Sequence, residues 1–96
     1  EYSRMVLKMY DGDIQEQEVT IEAYNKYVLN VIDRFGEEIE TKPIDDERFQ
    51  ATFKVRPSST FFSWVFQFRG DMVITGPEDV KNSYLKMLGD VRKSQK

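Results

Sequence analysis

The segment from Pro57 to Pro77 changes its hydrophobic pattern twice within a short length, and no other part of the chain constrains the fold as strongly. Apolar residues first recur at the helical spacing i, i+3, i+4 and i+7, at Phe61, Trp64, Val65 and Phe68. An uninterrupted apolar run from Met72 to Ile74 then predicts a short strand, and Pro77 suits the first turn of another helix. A helix, a strand and a helix in succession predict an α+β domain.

Polar and glycine residues mark the ends of the first of these helices. The hydroxyl of Ser58 or Ser59 can accept a hydrogen bond from an unpaired N–H group of the first turn. Gly70 can adopt the left-handed conformation that closes a helix. The helix is therefore expected to run from these serines almost to Gly70.

Upstream of Pro57, apolar spacing predicts a strand, a helix and two more strands. Alternating apolar residues mark the first strand at Val19, Ile21 and Ala23. The following helix, with Asn25 as its expected cap and Gly36 at its end, has its apolar stripe at Val28, Val31, Ile32 and Phe35. Residues 38–42 and 49–55 form the next two strands, paired as a hairpin that sets Ile39 near Phe53 and Glu38 near Lys54.

Both ends of the chain have helical spacing. The last predicted helix follows Pro77 and has its apolar stripe at Val80, Tyr84, Met87, Leu88 and Val91. The first ten residues repeat the spacing at Tyr2, Met5, Val6 and Met9. We expect residues 1–13 to be a helical segment that links to an upstream domain outside this sequence, and residues 14–96 to be the folded domain.

The predicted element order is that of a ferredoxin-like β-α-β-β-α-β fold followed by an extra C-terminal helix. Its four strands form an antiparallel sheet in the order 4-1-3-2, with both core helices on one face. The open face of the first and third strands is polar and presents Glu18, Thr20, Glu22, Arg48, Gln50, Thr52, Lys54 and Arg56. The fourth strand is apolar on both faces. We therefore expect a cover at that edge, namely the C-terminal helix, the N-terminal segment or a second copy of the chain.

Composition argues against several classes of function. The 96 residues include no cysteine and no histidine, which removes thiolate chemistry, the commonest general base and the commonest metal ligand. A net charge of −3 is unfavourable for nonspecific DNA binding, and no apolar run is long enough for a membrane helix. We expect a cytoplasmic domain that is not an enzyme and that needs no cofactor or metal.

Basic residues supply one candidate ligand site. Arg48, Lys54 and Arg56 alternate along one strand, so they point to one face, and Arg69 precedes the fourth strand. Such a face can meet a phosphate-bearing molecule or a single strand of nucleic acid. The alternative is an ordinary solvated face on which Glu18, Glu22 and Glu38 neutralise the bases, and aromatic residues that would stack on nucleotide bases are missing from it.

Two other residue groups have a structural explanation. Trp64 lies on an apolar helical stripe, so it is expected in the core. Asp45, Asp46 and Glu47 follow no calcium-loop spacing, so they are expected to form a solvated hairpin turn.

Several segments together resemble a known family. They are Met9–Gly12 (MYDG), Val31–Gly36 (VIDRFG), Phe62–Phe68 (FSWVFQF) and Val73–Glu78 (VITGPE). In this order they resemble the WCX domain, the C-terminal extension of WYL-domain bacterial transcriptional regulators with a DeoR-like helix-turn-helix. The resemblance covers nearly the whole chain.

The resemblance implies a ferredoxin-like fold and a role in assembly and in the control of regulator activity. The implied partners are the upstream WYL and helix-turn-helix domains and a second copy in a homodimer. DNA would be contacted only through the helix-turn-helix domain, which is absent from this sequence, and no membrane is involved.

Two hypotheses follow from the residues and the resemblance together. The first is an assembly module whose contact surface is Met72, Val73, Ile74 and Thr75 with the last helix. A charged residue in place of Met72 or Ile74 is then expected to weaken self-association without unfolding the domain. The second is an effector-binding module that uses Arg48, Lys54 and Arg56.

Overall fold

A computed structural model describes residues 15–95 as one α+β unit of four strands and three α-helices. The strands are β1 (Gln17–Tyr24), β2 (Glu40–Pro43), β3 (Arg48–Val55) and β4 (Met72–Gly76). The helices are α1 (Val28–Phe35), α2 (Ser59–Phe66) and α3 (Glu78–Ser94). Single 3₁₀ turns at Asn25–Tyr27 and Arg69–Asp71 precede α1 and β4. The predicted helical segment 1–13 lies outside the described residues.

The four strands form one antiparallel sheet in the order β2-β3-β1-β4, which confirms the predicted 4-1-3-2 order. The central strand β1 places Ile21 between Ala51 of β3 and Ile74 of β4. Strands β2 and β4 are therefore the two edges of the sheet. Within residues 15–95, no helix combines the length and the apolar character that a membrane crossing requires.

The hairpin of β2 and β3 has the predicted register but is shorter than expected. Glu40 lies opposite Thr52 and Pro43 opposite Phe49, the same offset that was predicted to set Ile39 near Phe53. Because β2 begins at Glu40, the expected cross-strand pair of Glu38 and Lys54 is not part of the ladder.

The core lies between the helices and the face of the sheet that carries the alternating apolar residues of β1, β3 and β4. Its fully buried side chains include Ile21, Val31, Phe61 and Val65. Aromatic rings fill the layer beside them, and Phe35 stacks on Phe53 at 3.9 Å and meets Trp64 edge-on at 5.2 Å between ring centres. Burial of each such large side chain contributes about 1.5–3 kcal/mol, so this face holds the fold together. Trp64 packs against the core, as its spacing predicted.

Three expected helix ends are different in the structure. Ser58 precedes α2 but makes no capping side-chain hydrogen bond, and Asn25 donates from its amide to the carbonyl oxygen of Asp46 instead of capping α1. Arg69, with φ of 57°, takes the left-handed conformation that was expected of Gly70. The reason is that α2 ends at Phe66 and the chain continues through a 3₁₀ turn, where the Asp71 N–H donates to the Phe68 carbonyl.

Helix α3 lies on the helical side of the sheet, beside α2 and β4. Its residues Val80 and Tyr84 are buried, and the Tyr84 ring lies 5.4 Å from that of Phe62. The open face of β4 is left uncovered by α3, because Val73 remains 42% exposed there. Helix α3, one of the three expected covers, therefore does not cover the open face of β4.

Candidate functional site

The four basic candidate residues are spread over the molecule. Arg48 and Lys54 share the open face but lie about 20 Å apart, because a strand rises about 3.3 Å per residue. Arg56 is one residue beyond the end of β3, and Arg69 lies in the 3₁₀ turn before β4 at the other side of the sheet. The structure does not bring these four side chains together.

Arg48 already has an acidic partner in the hairpin turn. Its Nε and one terminal nitrogen donate to Asp45 Oδ2 at 3.2 and 3.1 Å. The other carboxylate oxygen of Asp45 accepts from the backbone N–H groups of Glu47 and Arg48 at 2.8 and 2.9 Å. These bonds, the Glu47 N–H first, lower the pKa of Asp45, and the Asp45 carboxylate raises the pKa of Arg48.

The rest of the open face is electrically balanced. Lys54 lies directly opposite Glu18 in the ladder between β1 and β3. By the same register, the charged residues on the open face of β1, β2 and β3 are Glu18, Glu22, Glu40, Lys42, Arg48 and Lys54. Within these three strands three acids balance three bases, and Arg56 beyond the end of β3 adds only one positive charge, so this face does not attract a phosphate chain strongly. In the described part of the chain, no three acidic side chains lie close enough together to hold a metal ion.

An apolar groove lies where α2, β4 and α3 meet, and it encloses about 550 Å³. Large apolar side chains are exposed along it, with Phe66 at 52% and Leu85 at 51%. Its main lining residues are Phe66, Met72, Val73, Ile74, Leu85 and Leu88, with Arg69 and Lys81 among the polar ones. Half-exposed apolar side chains that converge on one groove are typical of a surface that contacts another protein segment.

The expected contact residues on β4 have different roles in the structure. Met72 and Ile74 are 1% and 4% exposed, because they point into the core of their own domain. Val73 and Thr75 alternate with them and are exposed. The expectation that a charge at Met72 or Ile74 leaves the domain folded is therefore corrected, since it would place that charge in the core.

Two groove residues were missed from the sequence. Phe66 and Leu85 lie off the apolar stripes that predicted the buried faces of α2 and α3. A large apolar residue off the stripe of an amphipathic helix was the available signal. Their convergence on one groove depends on the relative placement of the two helices, which the apolar spacing within a single helix does not determine.

Within residues 15–95, no strand pairs with the outer edge of β4. Thr75 Oγ1 donates to the carbonyl oxygen of Thr20 at 3.3 Å, which shows that the Thr20 carbonyl faces β4. On the opposite side of β1, the Asn25 N–H donates to the carbonyl oxygen of Glu47 at 2.8 Å, toward β3. Backbone groups alternate in direction along an antiparallel strand, so Glu22, two residues after Thr20, also faces β4. Its ladder partner Val73 therefore points its own N–H and carbonyl groups toward β1. Met72 and Ile74 consequently point their backbone groups away from the sheet.

The two edges of the sheet are protected differently. Edge strand β2 carries Glu40, Lys42 and Pro43, all of which discourage pairing with another strand. Edge strand β4 has no charged residue and no proline between Met72 and Gly76. Helix α3 lies beside β4, yet in the described part of the chain no backbone hydrogen bond joins the two. Among the described residues, strand β4 is thus the edge that lacks charged residues and proline.

Comparison with protein-family models, with curated proteins and with solved structures finds no match to this chain.

Proposed function

We propose that this chain is a non-catalytic assembly domain whose contact surface is the apolar groove between α2, β4 and α3. The observation that carries the proposal is the exposure of Phe66, Val73 and Leu85 around one groove along the edge strand β4. The resemblance to WCX domains supports a role within a cytoplasmic bacterial transcriptional regulator. There the domain would help the regulator to assemble and would pass its effector state to a separate DNA-binding domain.

The groove has enough apolar surface to contribute to association. Full burial of a side chain of this size contributes about 1.5–3 kcal/mol. Because Phe66, Val73 and Leu85 are already about half buried, each has roughly half of that, or about 1 kcal/mol, left to contribute. Weak, concentration-dependent self-association is what we expect of this chain.

Sedimentation velocity over a wide concentration range tests the proposal. We expect the chain to form dimers or larger species as concentration rises, and the variant Leu85→Glu to remain monomeric, because it places a charge in the groove. Leu29→Glu is the matched control, since Leu29 is an exposed leucine on α1 at 68% and does not line the groove. Circular dichroism would show that both variants remain folded.

A chain that stays monomeric at every concentration would contradict self-assembly. Equal loss of association in Leu85→Glu and Leu29→Glu would show that the groove is not the contact surface.

The alternative function, binding of a phosphate-bearing molecule or single-stranded nucleic acid, has less support. Arg48 is paired with Asp45, and Lys54 faces Glu18. Titration with short single-stranded DNA at low and high salt is expected to show no salt-sensitive binding, and tight, salt-sensitive binding would favour the alternative.

A further inference from the structure

We infer that the N-terminal segment of this same chain, residues 1–10, docks as a helix on the distal part of α3, which comprises residues 86–94. The segment lies outside the described residues. Its contact surface is formed by Met87 and Val91, neither of which lines the groove between α2, β4 and α3. This contact goes beyond the proposed assembly function and does not depend on it.

The distal part of α3 carries an apolar stripe that outlasts its contacts within the described residues. Val80 and Tyr84 are buried, and Tyr84 packs against Phe62 of α2. Met87 and Val91 continue the same line at i+7 and i+11 from Val80, but Met87 is only partly buried and Val91 is 47% exposed. Residues 89–95 are all exposed. An apolar stripe of this kind needs a further element to cover it.

The chain enters the described structure beside this stripe. Gln15 and Gln17 line one cleft together with Met87 and Asp90 of α3. The four residues 11–14 can reach about 13 Å when extended, which exceeds the 8–10 Å between the axes of two packed helices. A helix formed by the first ten residues can therefore fold back onto α3 of its own chain through this short connection.

The segment has an apolar stripe of its own that fits the distal part of α3. Its helical spacing places four apolar residues on one side, namely Tyr2, Met5, Val6 and Met9. Residues 2–10 and residues 86–94 are equal in number, and each span is about 13 Å long as a helix. A helix this short is marginal in isolation and needs a packing partner.

The position of the connection fixes the direction of the segment. Residue 10 lies nearest to the cleft, and the first half of α3 is already packed against α2, so the segment extends toward the C-terminal end of α3. The two helices are then antiparallel. With residue 10 beside Lys86, Met9 faces Met87 and Met5 faces Val91, which pairs the two apolar stripes along their length.

Charges at the far end of the contact are complementary. Arg92 and Lys93 occupy the last turn of α3, and the antiparallel arrangement brings Glu1 next to them. It also sets the positive N-terminal end of one helix dipole beside the negative C-terminal end of the other. The two bases of the segment, Arg4 and Lys8, lie off its apolar stripe and point away from α3.

The contact would connect the N-terminal end of the chain with the groove. Helix α3 lines the groove with Lys81, Leu85 and Leu88, which lie on its other side. A docked segment therefore holds α3 in place from the side away from the groove.

Hydrogen exchange of the full 96-residue chain tests the contact at a protein concentration where the chain is monomeric. We expect the backbone amides of residues 5–10 to exchange at least about tenfold more slowly than in an unfolded chain, since these amides are hydrogen-bonded only within a stable helix. Val91→Asp should remove this protection, because it places a charge in the apolar contact. Leu29→Asp, at an exposed leucine of α1, and Leu85→Glu, in the groove, should both retain it.

Disulfide trapping is a second measurement that leaves no charge in the contact, and the chain has no cysteine of its own. We expect the pair Met5→Cys and Val91→Cys in one chain to form an intramolecular disulfide about tenfold or more faster than the pair Met5→Cys and Leu29→Cys. The reason is that a docked segment raises the local thiol concentration only at the position it contacts.

Several results would overturn the assignment. Amides of residues 5–10 that exchange freely in the unaltered chain, or protection that survives in Val91→Asp, would show that the segment does not dock on α3. Equal crosslinking of the two cysteine pairs would exclude the antiparallel alignment. Protection that appears only as concentration rises would mean that a second copy supplies the segment.

The assembly function fails or stands separately. If Leu85→Glu abolishes self-association but residues 5–10 stay protected, both proposals are supported. If the unaltered chain never associates, the assembly function fails while the exchange experiment still decides whether the segment is docked.

Discussion

Replacing Ile74 with alanine is expected to destabilise the domain strongly, whereas the same change at the adjacent Val73 is expected to be nearly neutral. Ile74 lies in the core opposite Ile21 of β1, while Val73 faces solvent on the other side of the sheet. Truncation of a buried isoleucine to alanine costs about 2–5 kcal/mol, because the lost apolar burial and the cavity add. At an exposed strand position the cost is about 1 kcal/mol or less.

These magnitudes are large relative to the total stability. A chain of 96 residues has an unfolding free energy of roughly 5–14 kcal/mol, so a loss of about 3 kcal/mol removes a large part of it. For a domain of this size the midpoint of thermal unfolding would fall by about 12–24 °C.

Urea unfolding followed by tryptophan fluorescence measures both variants. Trp64 is the only tryptophan and packs against the core, so its emission reports loss of the fold. The measurement belongs at low protein concentration, because self-association would add a concentration-dependent term to the stability. Equal losses in the two variants, or a larger loss for Val73→Ala, would refute the assignment of Ile74 to the core and Val73 to the surface.

Three further predictions concern charge and backbone conformation. Folding lowers the pKa of Asp45, so its ionised carboxylate should stabilise the domain above pH 3.8, its ordinary pKa, and this stabilisation should be lost as pH falls through the lower pKa of the folded state. Asp45→Asn should weaken the acid dependence of stability in urea titrations. An unchanged acid dependence would contradict this prediction. Burial raises the pKa of Tyr84, so its ionisation should leave stability unchanged below its ordinary pKa of 10.0 and lower the stability as pH rises above that value. Tyr84→Phe should remove this part of the alkaline loss of stability, which unfolding at pH 8 and pH 11 would measure. An equal loss in both proteins would argue against the prediction. Gly36 has φ of 94° and ψ of 169°, a region that is almost restricted to glycine, so Gly36→Ala should cost about 1–3 kcal/mol. Gly89→Ala within α3 should instead stabilise the domain by about 1 kcal/mol, because alanine has the higher helix propensity. Thermal unfolding that ranks the two variants in the opposite order would disprove this prediction.

Much of the fold could be predicted because apolar spacing is a local property of the sequence. Alternation at Val19, Ile21 and Ala23 correctly assigned the buried face of β1, and the stripe from Val28 to Phe35 correctly placed α1. Helix ends were harder to predict, since a cap depends on a few backbone angles. The left-handed residue after α2 is Arg69 and not Gly70 for that reason.

The candidate site was predicted only in part. Apolar residues on both faces of the fourth predicted strand drew attention to its edge, and the groove does lie along β4. However, the sequence did not separate the core residues Met72 and Ile74 from the exposed Val73, and it did not indicate Phe66 or Leu85.

The sequence by itself determined the order of the elements, the order of the strands and most of the choice between buried and exposed faces. Each of these follows from the period of apolar residues along a short segment, together with the few topologies that connect such elements. Tertiary structure alone decided that Arg48 is neutralised in its own turn, that the basic residues stand apart, and that Phe66 and Leu85 meet in one groove along β4. These are distances between residues far apart in the chain, and such distances are set by how the sheet and helices pack together.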